Sequence, residues 1–477
     1  MAGRRRATAM LVVTGAMLVG PRDAAANSKF PEAGQLAVAP DDPAHLVART
    51  TFGLLDSRDG GNRWTWICEG AVGYTDFEPP LAVAAGGATL LSLTEGIVRS
   101  PDGCAWASAE GALADRYVVD LSVSKADPNL AVAITFDAGQ TLTQLWRSTD
   151  AGASWTVHGA PLPSGFIGYT LDLATQDPTT IYLSGLAGEP LAGTMVRSTD
   201  DAVTWESFPI LDSDINEVPY IGAMDPLDDD TLYVRLAGEP GRLLGSFDGG
   251  VSWTEIFVGA GFLRGLAVSP DGGRLVVGGE SDGTWRAEVP PKAMAAEADA
   301  WSFARVSDFT PFCLSWLPSG DLLACGHVFF NDGAGVARSA DGGATFDTLF
   351  CFGDVDAIHE CADTDLKGTC ASELAVLGAQ IPAGTCGSAP PASGSGGGGG
   401  MAPAQGGGGG DGGGRSSSSG CSLSAGDRSG SCWLPVWAAA FALTRRVRRR
   451  SRRRGGRRIS RRGRGRHLLR RGHHRDP

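Results

Sequence analysis

The chain has 477 residues and a net charge of −12, but that charge is unevenly spread. Residues 445–477 carry 17 of the 41 basic residues and one of the 53 acids, which leaves 24 bases against 52 acids elsewhere, a net of −28. A body this acidic is repelled by a phosphate backbone, so nucleic acid is excluded as its partner.

In chain order, residues 1–26 hold Arg4, Arg5 and Arg6, a short apolar run at 10–19, and the small residues Ala24, Ala25 and Ala26. Basic head, apolar stretch and small-residue exit are the plan of a secretory signal peptide cleaved before Asn27. The adjacent arginines lack the continuation of a twin-arginine signal, so ordinary secretion is expected.

Over residues 27–352 one short pattern recurs six times. Ser57-Arg58-Asp59-Gly60-Gly61-Asn62-Arg63-Trp64 is the clearest copy, and Ser148, Asp150, Gly152 and Trp155 repeat its spacing, as do Ser246, Asp248, Gly250 and Trp253. Ser198, Asp200 and Trp205 keep the spacing with Ala202 replacing one glycine; Ser339, Asp341, Gly343 and Phe346 keep it with a phenylalanine at the end. Ser100, Asp102 and Trp106 form a copy one residue shorter. A Ser and an Asp two residues apart can each bond backbone N–H groups of a tight turn, while Gly supplies the positive φ such a turn needs. Strand-like stretches flank each copy, as at 193–197 and 205–208, so the pattern predicts a hairpin turn with its own lock.

This pattern resembles the Asp box, or BNR repeat, Ser-x-Asp-x-Gly-x-x-Trp, known from sialidases, sortilin-type receptors, xyloglucan hydrolases and photosystem II assembly factors. The resemblance implies a β-propeller, with the box aspartates on outer hairpins away from the central channel. The closing aromatics fall at Trp64, Trp106, Trp155, Trp205, Trp253 and Phe346; the last gap is two periods long. Near its middle, Trp301-Ser302-Phe303 follows the strand-like run 283–289, which predicts a repeat that kept its strands and lost its box. Seven repeats of this length match four short strands each, so the expected fold is all-β, a seven-bladed propeller of four-stranded blades. Turns at Asp42-Pro43, Asp127-Pro128, Asp177-Pro178, Asp225-Pro226, Pro270-Asp271-Gly272 and Pro318-Ser319-Gly320 mark the hairpin between the first two strands of a blade, with glycines at 84–87 serving the second blade. At the seam, either 27–32 or 373–381 is expected to complete a blade.

The ends of the chain have a different character. A Cys-containing exit segment covers 353–386, and residues 387–420 are a Gly/Ser-rich flexible linker that spans roughly 30 to 35 Å as a coil. Residues 421–477 join Cys421, a short apolar segment and an arginine-rich tail. That apolar segment is shorter than the ~20 residues of a spanning helix. The arrangement resembles the MYXO-CTERM sorting signal of myxobacterial surface proteins, which implies anchoring of the propeller on the cell envelope. Pro435 interrupts the apolar segment, and the tail runs on to Arg475, both departures from that pattern.

Ten cysteines in an exported chain read as disulfides before metal ligands. Cys313 and Cys325 lie symmetrically about the 318–320 turn, which places them opposite each other on paired strands. A link from Cys68 to Cys104 between the first two blades is expected, with two further bridges among Cys351, Cys361, Cys370 and Cys386. His359, Asp363 and Asp365 lie near Cys361 without metal-ligand spacing, so no metal and no cofactor are expected.

Catalytic signals are sparse. Sialidase chemistry rests on an arginine triad, a tyrosine with a glutamate partner and an acid/base aspartate, and the Phe-Arg-Ile-Pro motif of the first arginine is absent here. The nearest pairing is Glu217 with Tyr220, for which a turn-capping tyrosine beside a solvated glutamate is the simpler reading. A glucan hydrolase would need two facing carboxylates, one with a raised pKa; Asp212, Asp214, Asp225 and Asp228 to Asp230 are the candidates. Trp66, Trp146, Trp285 and Trp316 stand outside the boxes and would suit sugar stacking at the mouth, or strand packing. The expectation is a monomeric, surface-displayed, non-catalytic module that recognises a protein or glycan at the propeller mouth. An extracellular glycosidase and a ligand-free surface coat are the alternatives.

Overall fold

Seven runs of four strands follow one another, each an antiparallel meander in which sequence neighbours are sheet neighbours. The computed structural model describes residues 30–73, 79–111, 113–355, 357–362, 366–381 and 386. The expected signal peptide, linker and sorting tail with Cys421, together with Asp363 and Asp365, lie outside the described residues.

Blade 1 comprises β1 (Ala33–Ala39), β2 (Asp42–Thr50), β3 (Gly53–Ser57) and β4 (Thr65–Cys68), and a short helix α1 (Glu69–Val72) leads out of it. Blade 2 holds β5 (Leu81–Ala84), β6 (Ala88–Leu93), β7 (Gly96–Ser100) and β8 (Ala107–Ser108). After it, β9 (Glu110–Gly111) adds a parallel fifth strand to the outer edge of blade 3, which holds β10 (Val118–Val123), β11 (Ala131–Asp137), β12 (Leu142–Ser148) and β13 (Ser154–Val157). Blade 4 runs through β14 (Ile167–Leu173), β15 (Ile181–Ala187), β16 (Ala192–Ser198) and β17 (Glu206–Asp214). Blade 5 runs through β18 (Pro219–Met224), β19 (Leu232–Leu236), β20 (Arg242–Ser246) and β21 (Thr254–Val258). Blade 6 has β22 (Leu263–Val268), β23 (Arg274–Gly279) and β24 (Gly283–Glu288), then the short helix α2 (Lys292–Ala295) and β25 (Ala304–Ser307). Blade 7 has β26 (Cys313–Trp316), β27 (Leu322–Cys325), β28 (Ala334–Ser339) and β29 (Asp347–Cys351), and helix α3 (Leu366–Gln380) follows.

The first strands β1, β5, β10, β14, β18, β22 and β26 each touch the next, and β26 returns to β1, so the protein is a closed seven-bladed β-propeller. Middle strands are covered on both faces by adjacent blades. They accordingly read as continuous apolar runs, such as Leu322-Leu323-Ala324-Cys325, all buried, where a half-exposed strand would alternate.

All six Ser-x-Asp copies occupy the turn between third and fourth strands. In the blade 3 copy, Ser148 Oγ donates to Asp150 Oδ1 (2.7 Å) and accepts the Gly152 N–H (2.9 Å), while Asp150 accepts from Ser154 N (2.9 Å) and Oγ (2.6 Å). Trp155 Nε1 closes the turn on Gly152 O at 3.1 Å. Gly152 takes φ +80°, the left-handed region open to glycine, which turns the chain onward once its N–H has met the serine. Ala202 takes the same region at φ +65° in blade 4, and there the Trp205 indole bonds Ala160 O at 3.0 Å, outside its own turn.

A second repeat joins blade to blade. The arginine just before the serine of one blade reaches the box of the next: Arg99 to Ala151 O (2.9 Å), Arg147 to Asp201 (2.7 Å), and Arg197 to Gly249 O (2.9 Å). Arg286 in blade 6 does the same to Asp341 O at 2.8 Å. Blade 5 has Gly245 at this position, facing blade 6, which has no box to grip. There Trp301 fills the space of the missing turn, its ring centroid 6.1 Å from both Phe247 and Tyr233.

Blade 1 carries Asp56 at the corresponding position, bonded to His45 (2.9 Å) and Arg58 (3.0 Å). The exit segment supplies the missing grip on blade 2: His359 Nε2 bonds Asp102 O at 2.9 Å and Nδ1 bonds Thr65 Oγ1 at 2.8 Å. This segment corrects two expectations. Residues 373–381 complete no blade; nearly all of them lie in α3, because blades 1 and 7 each hold four strands of their own. Nor does Cys68 bond Cys104. Cys68 pairs with Cys370 (Cα–Cα 5.4 Å) and Cys104 with Cys361 (5.6 Å), since the exit segment crosses from blade 7 over the outer edges of blades 1 and 2. Ile358 pairs with Trp66 as a parallel bridge along the way. Only Cys351–Cys386 stays within the exit cluster, and Cys313–Cys325 joins directly opposed residues of β26 and β27. The four disulfides among the described residues suggest an exported protein, since such bonds persist in oxidising compartments.

Candidate functional site at the propeller mouth

Antiparallel blades sort their turns by end. Turns between strands 1 and 2, and 3 and 4, share one end with every Ser-x-Asp turn; turns between strands 2 and 3, and the blade-to-blade connections, share the other. First strands begin at this second end, which places there Tyr117 ahead of β10, Tyr169 in β14, Tyr220 in β18, Arg264 in β22, Phe312 ahead of β26 and Phe30 ahead of β1. Glu280 and the 326–333 turn of blade 7, with His327, Phe329 and Phe330, stand at the same end.

These side chains form a nearly continuous aromatic arc. Tyr169 and Tyr220 meet edge to face at 6.0 Å, and the Arg235 guanidinium of β19 lies over the Tyr220 ring at 5.0 Å. Arg264 covers Phe312 at 5.3 Å and pairs with Glu280 at 2.6 Å. Phe312 stacks on His327 (5.3 Å), and Phe30 meets Phe329 (4.7 Å). Phe30, Phe329, Phe330 and Tyr117 are 57, 52, 50 and 43% exposed, an apolar surface of the kind that marks binding sites. Burial pushes the hydroxyls of Tyr117, Tyr169 and Tyr220 up, so they remain neutral donors at physiological pH. Burial likewise holds His327 below the usual imidazole range, which keeps it uncharged beside Arg264.

Aromatic faces at the mouth come from Tyr and Phe, whereas sequence reasoning proposed Trp. Trp66 and Trp146 are 2 and 1% exposed; their N–H groups bond Phe52 O and Thr135 Oγ1 within the blades. Trp285 packs on Phe257, and Trp316 lies under Arg274 toward the opposite end.

Tyr220 and Glu217 do not work together here. Glu217 faces Arg242 (3.2 Å), which also holds Glu255 at 2.6 Å. The carboxylates named as hydrolase candidates are tied into turns. Asp214 accepts from Asn216 N, Asp225 from Leu227 and Asp228 N–H groups, Asp228 meets Lys292 at 2.6 Å, and Asp229 caps Gln176 and Asp177 of blade 4. Asp212 is exposed with φ +48°.

Deeper along the inner strands, a carboxylate pair escaped sequence reasoning. Asp120 of β10 accepts its own neighbour Leu121 N and, across the blade boundary, Leu171 N of β14, both at 2.9 Å. Asp172 of β14 accepts from Leu173 N and, across the same boundary, Ser122 Oγ, both at 2.9 Å. Burial, with a smaller push from Asp172, drives Asp120 up to about 7; burial raises Asp172 as well. Gln35 to Leu81 N (3.0 Å) and Thr170 to Ile221 N (2.9 Å) make equivalent cross-blade bonds. A polar side chain gripping the next inner strand is thus a repeated latch. The pattern was visible only as isolated polar residues within otherwise apolar runs.

No family model and no curated protein matches this sequence. Among solved structures, an ancestral GH74 enzyme shares 12% identity at TM-score 0.49, the match covering 66% of this chain and 46% of that one. The GH74 xyloglucanase from Xanthomonas campestris shares 17% at TM-score 0.39, covering 66 and 60%. YCF48 bound to D1 peptide shares 18% at TM-score 0.32, covering 48 and 67%. Likeness at this identity concerns the fold alone, and the match spans less than half of the ancestral enzyme.

Proposed function

We propose that this protein is an exported, non-catalytic binding propeller of the Asp-box kind that recognises a protein or glycan at its mouth. The arc of Tyr117, Tyr169, Tyr220 and Phe330 over the buried Phe312, interleaved with Arg235 and Arg264, carries this reading: exposed and half-buried rings beside hydrogen-bonding cations suit stacking plus polar orientation of a ligand. Residues 1–26 direct export, and residues 387–477 tether and anchor the monomeric propeller on the cell envelope. The test is binding of the full chain to arrayed glycans and cell-surface extracts, compared with Tyr169→Ala and Tyr220→Ala. Binding lost in both variants, with circular dichroism unchanged, supports the mouth; binding unaffected by either sinks it.

Asp120 and Asp172 favour a second reading, a glycosidase, because neighbouring carboxyl groups whose pKa burial raises can supply acid chemistry. Their latch bonds argue for a structural role instead. Turnover of any arrayed glycan that is abolished by Asp120→Asn, in a folded protein, would replace the binding reading with this one.

A further inference from the structure

Arg235 differs from the other arginines near the mouth. It is part-buried, its Nη1 donates to Leu263 O at 3.3 Å, and its face rests on Tyr220, yet among the described residues no carboxylate pairs with it. Arg264 has Glu280, and Arg242 has Glu217 and Glu255. Burial, and repulsion from Arg264, both work against the charge of Arg235. Arginine keeps its proton under such pressure, so the site holds a partly desolvated cation whose fork of donors is incompletely used. Even partial burial of a charge without an anionic partner costs free energy, and an anion delivered by a ligand relieves that cost.

Resting on the mouth-binding reading, we propose that the ligand is a glycan carrying a ring carboxylate, a uronate unit, whose carboxylate pairs with Arg235 while a sugar face stacks on the tyrosines. Two features favour this over a dense polyanion or a simple anion. The net of −28 outside the tail repels closely spaced charges at long range, whereas uronates separated by neutral sugars meet the cation singly. The rings of Tyr169 and Tyr220 beside the guanidinium offer contact area that inorganic phosphate cannot use.

The experiment is calorimetric titration of the full chain with uronate-containing oligosaccharides, their carboxyl-reduced neutral counterparts, inorganic phosphate and a peptide with a free C-terminus. Uronate binding at least tenfold tighter than the reduced partner, weakened about tenfold or more by Arg235→Gln, and retained in part by Arg235→Lys, is the expected result. Equal binding of the reduced sugar, or indifference to Arg235→Gln, overturns the carboxylate and leaves mouth binding standing. Phosphate or the peptide binding as tightly as the uronate overturns the sugar. No binding by any sugar overturns this inference, and the glycan arm of the mouth reading with it. Circular dichroism of both variants separates a lost contact from a lost fold.

Discussion

Removing the two long-range disulfides, singly and together, tests whether the exit segment closes the ring. The bridges span separations of 302 and 257 residues, and one nests inside the other. With Cys104–Cys361 intact, the pair Cys68→Ala and Cys370→Ala frees only a loop of about 45 residues in the denatured chain, for which chain entropy gives about 4 kcal/mol. The reverse single removal frees the same loop and is expected to cost the same. Once one bridge is gone, losing the other opens nearly the whole ring, about 5.5 kcal/mol. The double loss should therefore exceed the sum of the single losses by about 1.5 kcal/mol. Urea unfolding under oxidising conditions, followed by tryptophan fluorescence and circular dichroism, measures all four proteins. Single losses below about 1 kcal/mol with an additive double would show that the strap rides on a ring closed by β26 and β1 alone.

Ser148→Ala leaves the buried Gly152 N–H without its acceptor and should destabilise by about 1–3 kcal/mol, read from the urea midpoint; a change below about 0.3 kcal/mol would refute the lock. Arg197→Ala removes the grip on Gly249 O, the Glu206 pair at 2.7 Å and the Phe208 face, and should lower the melting temperature more than Arg63→Ala, whose side chain is exposed. With Asp120 at about 7, the folded state holds a proton that the unfolded chain releases. That contribution is present below about pH 4 and lost as pH rises through about 7; Asp120→Asn should flatten this slope in melts across pH 4–8. Asp341 behaves oppositely. The N–H and hydroxyl of Thr345, with the Ser339 hydroxyl, hold it down at about 2, so its contribution is present above about pH 4 and disappears toward pH 2, a loss that Asp341→Asn should abolish.

Much of the architecture was written in the chain locally. A Ser, an Asp and a Gly at fixed spacing determine a turn from contacts within five residues, and the period between copies sets how many blades the ring must hold. Even the blade without a box was legible, because its strands kept their phase around Trp301. The facing of Cys313 and Cys325 followed from symmetry about one turn, which is also a local matter. Tertiary structure decided everything that depends on which ends of different blades coincide. Tyr117, Tyr169, Tyr220, Arg235 and Arg264 are scattered over some 150 residues and carry no common spacing; only the stacking of consecutive blades makes these strand ends neighbours. Asp120 and Asp172 each reach the other's strand for the same reason, Asp120 gripping the inner strand one blade later and Asp172 the inner strand one blade earlier. The path of the exit segment was equally hidden. Cysteines 302 residues apart pair because a closed ring returns the chain to its start, and loop entropy, which separates such residues in a linear chain, is offset by the packing of seven blades.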